Sequence, residues 1–331
     1  MNTWKSIILA LVAGVGIGLL AAVLTAQQRA ESRSSEEQTQ SVAESADGGE
    51  SEDETEEYDA EQAAEEYKEY LEEAAEDKNV QAEELDLLNI AEDAYLYLVN
   101  AMYPENDYDK NGFRDLENGQ REYTDTEAYT SRSGIDVSEF NGEIDWEQVK
   151  AAGYEFAFVR VGYRGYESGD IFRDALFEEN LRGAQEAGLD TGVYFFSQAA
   201  DEEEAIEEAR FVIRTLDGAD LQLPVFFDPE SISFDYARTD QITGTQFTKN
   251  TLAFCSEIEA AGYDAGYYCN YKWEVFMLDM AALKEYTVWY AGYEPSPRTP
   301  YEFTFWQYTD EGEVPGISES VDLDIQLTPA S

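Results

Sequence analysis

The sequence predicts an α/β protein built on an irregular TIM-like (β/α)5(β)3 barrel. Short apolar segments recur in the C-terminal part of the chain, at 156–163, 191–197, 223–230, 264–270, 286–293 and 303–309. Amphipathic, helix-like segments separate several of them, at 172–188, 201–218 and 243–262. Apolar strands that alternate with amphipathic helices are typical of a mainly parallel sheet with helices outside it. The helices thin out towards the end of the chain, so we expect a barrel that is regular at first and irregular at its close.

Individual residues mark where these helices begin and end. Asp201 followed by Glu204 resembles a capping box, in which side chains satisfy the free N–H groups at the start of a helix. Gly218 and Gly262 mark helix ends, because glycine readily adopts the left-handed backbone that terminates helices.

The N-terminus is predicted to meet a membrane. Residues 7–26 carry no charge and are long enough to span a bilayer. The apolar stretch is long for a signal peptide, and Leu24-Thr25-Ala26 is a poor match to a small-x-small cleavage site. For residues 1–26 we therefore favour a transmembrane signal-anchor helix, with a cleaved signal peptide as the alternative. The first predicts a membrane-anchored protein whose C-terminal domain is extracellular, at the cell surface, and the second predicts a secreted protein.

Two further segments precede a C-terminal domain at 131–331. Residues 27–83 form an acidic low-complexity spacer, disordered or partly helical, because they lack the apolar content that offsets the entropy of folding. Residues 84–130 are predicted to form a helix and a connecting loop. The helix candidate is amphipathic and covers 84–102, with Pro104 shortly after it.

The connecting loop contains part of a calcium-loop pattern. In DYDKNGFRDLEN, Asp107, Asp109, Asn111 and Gly112 match the first half, D-x-D-x-N-G. The twelfth position, where a bidentate glutamate is expected, is Asn118. We favour a polar turn over a metal site here.

Charge and the absence of histidine exclude several functional classes. The 331 residues include 72 acidic and 21 basic side chains, a formal charge of −51. Nucleic-acid binding needs a basic footprint, so this partner is excluded. There is no histidine, which removes serine and cysteine triads, histidine-ligated zinc and imidazole acid–base catalysis. An enzyme of this composition has to use carboxylates, tyrosines, lysines or an oxygen-liganded cofactor.

The two cysteines leave an alternative open. Cys255 and Cys269 are too few for a four-ligand zinc site. They can form one disulfide in an oxidising compartment or remain buried thiols.

Acidic residues fall at three predicted strand ends, where barrel enzymes place their active sites. Asp136 ends the first strand, Asp228 and Glu230 end the fourth, and Asp322 and Asp324 lie in the closing segment. Residues i and i+2 of a strand point to the same side, roughly 6 to 7 Å apart. Two desolvated carboxyls this close raise one another's pKa, so that one stays protonated. Glycoside hydrolysis needs such an acid and a second carboxylate, although two solvated acids at the start of a loop remain the simpler alternative.

Aromatic residues in or after the predicted strands are candidates for sugar binding, with barrel core as the alternative for each. They are Tyr163, Tyr194, Phe195, Tyr268, Trp289, Tyr290, Trp306 and Tyr308. Gln307 is added as a polar substrate ligand. Phe156, Phe158 and Phe226 are assigned to the core.

Residues 134–328 resemble the Chalaropsis-type lysozymes of glycoside hydrolase family 25. The matching stretches, in family order, are GIDVSEFNGEIDWEQVKAAGYEFAFVRVGYRG, GLDTGVYFFS, PVFFDPE and WQYTDEGEVPGISESVDLDIQ. The resemblance implies a (β/α)5(β)3 barrel that cleaves the β-1,4 bond between N-acetylmuramic acid and N-acetylglucosamine of peptidoglycan. It also implies net retention and no metal or organic cofactor.

The resemblance also implies roles for the acids. Glu230 matches the general acid/base, Asp228 its carboxylate partner, as nucleophile or as orienter of the N-acetyl group, and Asp136 and Asp322 two further family acids. This sequence departs from the family at two positions: Asp324 replaces the usual asparagine, and Pro229 an aliphatic residue. Because proline has no amide donor, we expect the strand to stop pairing at Asp228.

Two other functions are weighed against hydrolysis by a monomeric enzyme. The first is a barrel that binds wall glycan without cutting it. The presence of all four family acids argues against this alternative. The second is an aspartic peptidase, because Asp190-Thr191-Gly192 spells D-T-G. That enzyme needs two such loops, and only one occurs, so the motif is interpreted as the turn entering the third strand.

Overall fold

The computed structural model describes residues 85–90, 95–100, 106–116, 118–125, 127–230, 236–240 and 242–330. The predicted membrane helix at 7–26 and the spacer at 27–83 lie outside these residues. Among the helices within them, none combines the length and apolar character needed to cross a bilayer.

The predicted helix over 84–102 is wrong. Strands β1 (Leu85–Ile90) and β2 (Tyr95–Asn100) form a two-stranded sheet of their own. The sequence YLYLVN is rich in aromatic, branched and apolar residues without a polar helical face, which favours a strand. The amphipathic pattern was therefore a weaker signal than this local composition.

The connecting segment ends in a β-hairpin. A 3-10 turn (Lys110–Gly112) leads into β3 (Phe113–Asp115), which pairs antiparallel with β4 (Arg121–Tyr123). The hairpin packs on the outside of the barrel: the Phe113 ring lies 4.9 Å from that of Trp306.

Eight strands close the predicted barrel. Their bounds are β5 (Tyr129–Val137), β6 (Phe156–Arg164), β8 (Asp190–Phe196), β9 (Val225–Asp228), β10 (Ala265–Asn270), β11 (Thr287–Ala291), β12 (Phe305–Gly312) and β13 (Val321–Pro329). Neighbours from β5 through β12 pair in parallel, whereas β13 is antiparallel to both β12 and β5 and closes the ring. A short strand, β7 (Ile171–Arg173), adds to β6 outside the ring. The α/β barrel predicted from the sequence is confirmed.

Helices follow the first five barrel strands. They are α1 (Trp146–Ala151), α2 (Phe177–Glu186), α3 (Glu202–Leu216), α4 (Gly244–Ala260) and α5 (Tyr271–Phe276). After β11 the described residues contain no helix. This is the irregular close that the sequence predicts.

The helix predicted at 172–188 starts later than expected. Its first residues belong to β7, and α2 begins only at Phe177. The Asp174 carboxylate accepts a hydrogen bond from the Leu176 N–H at 3.0 Å, which stabilises the turn between the two elements.

The predicted start of α3 at Asp201 and the predicted ends of α3 and α4 at glycines are found in the structure, but the capping box is incomplete. Asp201 accepts from the Glu204 N–H at 3.0 Å, whereas the Glu204 carboxylate accepts from Ala200 and leaves the box half formed. Gly218 and Gly262 have φ of 79° and 93° just beyond the two helices.

An aromatic cluster fills the lower half of the barrel. Phe158 lies at its centre, with ring centroids 5.0 Å from Phe226, 4.8 Å from Trp289 and 4.9 Å from Phe305. Phe156 joins the same cluster. The core assignment of Phe156, Phe158 and Phe226 is confirmed, and their rings seal the barrel below its carboxyl end.

Candidate active site

The four predicted acids meet at one end of the barrel. Asp136 lies near the carboxyl end of β5, and Asp228 is the last residue of β9. Asp322 lies at the start of β13, and because that strand is antiparallel its start is at the same end, directly opposite Asp136. Glu230 follows two residues after Asp228. The carboxyl ends of the parallel strands therefore form an acidic mouth, as the barrel prediction requires.

The strand carrying Asp228 stops where Pro229 predicts. The last step of the ladder is a hydrogen bond from the Ser197 N–H to the Asp228 carbonyl, 2.8 Å long. Asp228 is 4% exposed, and its Oδ1 has no hydrogen-bond partner among the described residues. Glu230 is more accessible. The two acids thus differ in setting, because Asp228 is buried and Glu230 is partly exposed.

A polar chain links the two sides of the mouth. The Gln307 amide donates to Asp136 Oδ2 at 2.8 Å, and its Oε1 accepts from the Tyr268 hydroxyl at 3.0 Å and the Tyr293 hydroxyl at 3.1 Å. The Tyr268 hydroxyl also faces the Glu230 carboxyl, and since it has one proton, it donates either to Gln307 or to Glu230. Asp136 and Glu230 are therefore connected through buried side chains.

Burial raises the pKa of every carboxyl in the mouth. Burial and the nearby charges of Asp322 and Asp324 raise the pKa of Asp136 well above its usual value. Burial and the charge of Glu230 do the same to the pKa of Asp228. Burial also raises the pKa of Glu230, which the hydrogen bond from Tyr268 partly offsets, and raises that of Asp322 to about 6. The cluster thus retains protons at a pH where exposed carboxyls are ionised.

Asp324 lies beneath the other acids and is fully buried. Its Oδ1 accepts from the Trp289 indole N–H at 2.8 Å, whereas its Oδ2 has no partner among the described residues. Burial raises its pKa well above the usual value. Trp289, predicted to bind sugar, is 1% exposed and supports Asp324 instead.

Sequence reasoning missed Arg160, the cation of the mouth. Its Nε donates to Asp174 Oδ2 at 2.9 Å, and its charge lowers the pKa of Asp228. The sequence did indicate this residue, because the arginine of FAFVRVGY lies on the inward face of β6 together with Phe156 and Phe158.

Strand alternation separates the other predicted aromatic ligands. Tyr194 and Tyr268 point into the barrel and contact Trp289, with ring centroids at 5.6 and 5.0 Å. Phe195 points outward against Phe211 of α3, and Tyr290 outward against Phe303, so neither reaches the mouth.

Two more candidates on β12 also face outward. Trp306 and Tyr308 flank the inward Gln307, and the Arg121 guanidinium covers both rings, at 4.9 and 4.8 Å. Trp306 and Tyr308 thus attach the β3–β4 hairpin, through Arg121, to the barrel.

Tyr163 reaches the rim because of a β-bulge. The pairing of β6 with β8 shifts register between Arg160 and Gly162, which places Tyr163 on the same side as Arg160. The Arg160 guanidinium lies 5.3 Å from the Tyr163 ring.

The exposed aromatic residues of the described chain surround this mouth. Each lies on a segment that follows the carboxyl end of a barrel strand; they are Phe140, Phe172, Tyr236, Tyr271 and Tyr293. Sequence reasoning missed all five. Aromatic faces exposed around a cleft are suited to binding a polymer with apolar and hydroxyl-bearing faces.

The remaining motifs lie away from the mouth. Asp109 caps the 3-10 turn by accepting from the Asn111 N–H at 2.9 Å, and the described residues contain no group of three acidic or thiol side chains that could hold a metal. Cys255 and Cys269 are buried free thiols, so the disulfide alternative is wrong. Asp190 of the D-T-G motif begins the third barrel strand, as predicted.

Comparisons with known proteins point to one family. The model for glycosyl hydrolases family 25 matches residues 135–317. The autolytic lysozyme of Clostridium acetobutylicum is 29% identical over 58% of this chain and 54% of its own length. Lysozyme M1 of Streptomyces globisporus is 28% identical over 57% of this chain and 65% of its own. The chain therefore spans less than two thirds of either curated relative.

Solved structures share the fold. The modular autolysin LytC of Streptococcus pneumoniae aligns with a TM-score of 0.53 at 21% identity, over 73% of this chain and 58% of that one. A family 25 glycosyl hydrolase from Bacillus anthracis aligns with a TM-score of 0.50 at 23% identity, over 59% and 88%.

Proposed function

Because the chain belongs to glycosyl hydrolases family 25, we propose that it is a lysozyme-type N-acetylmuramidase of peptidoglycan. The bond cleaved is the β-1,4 link from N-acetylmuramic acid to N-acetylglucosamine. The observation that carries the proposal is the pair Asp228 and Glu230, two desolvated carboxyls at the end of one strand within an acidic mouth.

Glu230 acts as the general acid/base. A catalytic acid has to hold its proton near the working pH, and burial raises the pKa of Glu230 in the required direction. It is also more accessible than Asp228, so its carboxyl can reach a glycosidic oxygen in the mouth.

Asp228 is the charged partner. Burial and the charge of Glu230 raise the pKa of Asp228, and the charge of Arg160 opposes that rise, so Arg160 is the group that favours the carboxylate form of Asp228. An anion placed below the sugar ring stabilises an oxocarbenium-like transition state, either directly or by orienting the substrate's N-acetyl group. Either mechanism gives net retention.

Asp136 and Asp322 support this pair. Asp136 holds the Gln307 amide, which in turn accepts from Tyr268 next to Glu230. Sugar binding falls to the residues that border the mouth, Tyr163, Tyr194, Tyr268 and Gln307, together with the exposed aromatic rim.

The proposed substrate lies outside the cell membrane. We therefore propose that the catalytic domain lies at the cell surface, held by the apolar segment 7–26, or is secreted after removal of that segment. We also propose that it acts as a monomer. Membrane fractionation of the full chain and of a chain lacking 1–26 distinguishes these two. Recovery of the full chain in the soluble fraction would argue against the anchor.

Digestion of purified peptidoglycan with mass analysis of the fragments tests the activity. Wild type should release disaccharide–peptide fragments with a new reducing muramic acid end, and release by Glu230→Gln should be lower by about 100-fold or more. Glucosamine reducing ends would contradict the bond assignment. Wild-type protein that binds walls of several chemotypes but releases no fragments from them would favour a glycan-binding barrel.

A further inference from the structure

The main chain at Glu230 is held by a side chain and not by the sheet. Strand β9 ends at Asp228, whose carbonyl accepts the Ser197 N–H at 2.8 Å. Pro229 has no N–H with which to continue the ladder. One residue further, the Gln198 side-chain amide donates to the Glu230 carbonyl at 2.7 Å.

We propose that Gln198 is a positioning residue for Glu230, extending the sheet by one hydrogen bond past Pro229. This rests on the proposed role of Glu230 as the general acid/base. Gln198 is 1% exposed, so its amide does not exchange this bond for one to bulk water. Loss of a buried partner leaves a main-chain carbonyl unsatisfied and free to move.

The orientation of the Gln198 amide is fixed from its other side. The Thr239 hydroxyl donates to Gln198 Oε1 at 2.9 Å, and both side chains are buried. A glutamine that accepts at its oxygen has to present its nitrogen to Glu230. The same side chain thereby joins Glu230 to Thr239, at the two ends of the segment that carries Tyr236.

The main chain of Gln198 is itself anchored. The Arg238 guanidinium donates to the Gln198 carbonyl at 3.0 Å and binds both Glu204 oxygens, at 2.6 and 2.7 Å. On the preceding residue, the Ser197 hydroxyl donates to the buried Glu208 at 2.6 Å. Gln198 is therefore a rigid support, as a residue that positions a catalytic group has to be.

Kinetics of Gln198→Ala test the proposal, with a variant at the exposed Gln185 as the control. Gln185→Ala also removes a glutamine that donates to a main-chain carbonyl, that of Asp220 at 2.9 Å, but outside the acidic mouth. A displacement of about 1 Å at a catalytic group costs on the order of 100-fold in rate. We expect kcat to fall about 10- to 100-fold in Gln198→Ala with KM within twofold, and both to be unchanged in Gln185→Ala.

A pH profile separates positioning from general destabilisation. A released Glu230 is better solvated, so its raised pKa should fall and the basic limb of kcat/KM should move to lower pH. Thr239→Val removes only the hydroxyl that orients Gln198. It should also lower kcat and move the basic limb of kcat/KM to lower pH. Thr239→Ser keeps the donor and should lose less than Thr239→Val.

Glu230→Gln, measured alongside, keeps the two proposals distinguishable. If Glu230→Gln is inactive while Gln198→Ala and Thr239→Val match Gln185→Ala in kcat and pH profile, the positioning role is overturned and the proposed function stands. An active Glu230→Gln overturns both.

Discussion

The two halves of the barrel interior are built from opposite chemistry. The lower half holds the rings of Phe156, Phe158, Phe226 and Phe305 in edge-on and tilted contact. The upper half holds four acids and one arginine, all buried except the partly exposed Asp322; these residues are Asp136, Asp228, Asp322, Asp324 and Arg160. Buried aromatic surface stabilises the fold, whereas buried carboxyls oppose it unless they are protonated or paired.

Trp289 is the boundary between the halves. Its ring belongs to the aromatic cluster, and its indole N–H donates upward to Asp324. The rigid lower half therefore fixes the floor on which the acids are arranged, and the acids can be optimised for chemistry at some expense of stability. Substitutions in the two halves should accordingly affect different measurements.

The largest effect is expected for Glu230→Gln in the upper half. It removes the transferable proton with little change in shape, and general acid–base catalysis contributes about 100- to 10,000-fold to rate. Reducing-end release from peptidoglycan should fall by that factor, while the free energy of unfolding should not decrease. Glu147→Gln, on the exposed face of α1, is the control and should retain full activity. Equal losses in both variants would contradict a special role for Glu230.

Phe226→Ala in the lower half should have the reverse pattern. Removing a fully buried phenylalanine costs about 3–5 kcal/mol through lost burial and the cavity left behind. Denaturant titration should show this loss, whereas Phe172→Ala, at a ring 42% exposed, should cost about 1 kcal/mol or less. A stability close to wild type in Phe226→Ala would remove the distinction between the two halves.

Asp324→Asn tests the cost of the buried acids. A carboxyl whose folded pKa is raised contributes stability below its unfolded pKa of about 3.9 and loses it as pH rises towards the folded value. The amide does not titrate and can still accept from Trp289. We expect Asp324→Asn to be more stable than wild type by about 1–3 kcal/mol at pH 7 and nearly equal to it at pH 4.

Melting curves across pH 4 to 7 measure this difference. Trp289→Phe is the companion variant, because it removes the donor to Asp324 and should destabilise at every pH. A constant offset between Asp324→Asn and wild type over the whole range would show that the Asp324 proton is not linked to folding.

The sequence predicted the lower half of the barrel, and it predicted the upper half only in part. Apolar strands with flanking helices predicted the barrel, and the phenylalanines of β6 and β9 predicted its core. Strand ends located the acids, because the geometry of parallel strands brings their carboxyl ends together. The inward-facing Arg160 of β6 carried a signal that was not used.

Other features depend on tertiary contacts that local patterns do not encode. Phe195 and Tyr290 were assigned to the site although alternation with inward Tyr194 and Trp289 turns them outward. The bulge that brings Tyr163 to the rim falls at Gly162, and a glycine inside a strand is a local mark of a bulge that was not used. The pairing of Gln198 with Glu230 joins residues 32 positions apart, so only the folded barrel reveals it.

The smallest expected effect is a dependence of the activity on salt concentration. With a net charge of −51, the enzyme repels the anionic polymers of a cell wall, and this repulsion is screened over about 10 Å at 0.1 M salt. Activity on whole walls should therefore rise a few-fold from low to moderate ionic strength. Peptidoglycan stripped of those polymers should show a weaker rise, because less charge remains to be screened. The loss of stability in Phe226→Ala should be the same at both salt concentrations, since burial of a neutral ring is not screened. Flat or falling activity on whole walls would mean that the acidic surface does not limit the approach of substrate to the mouth.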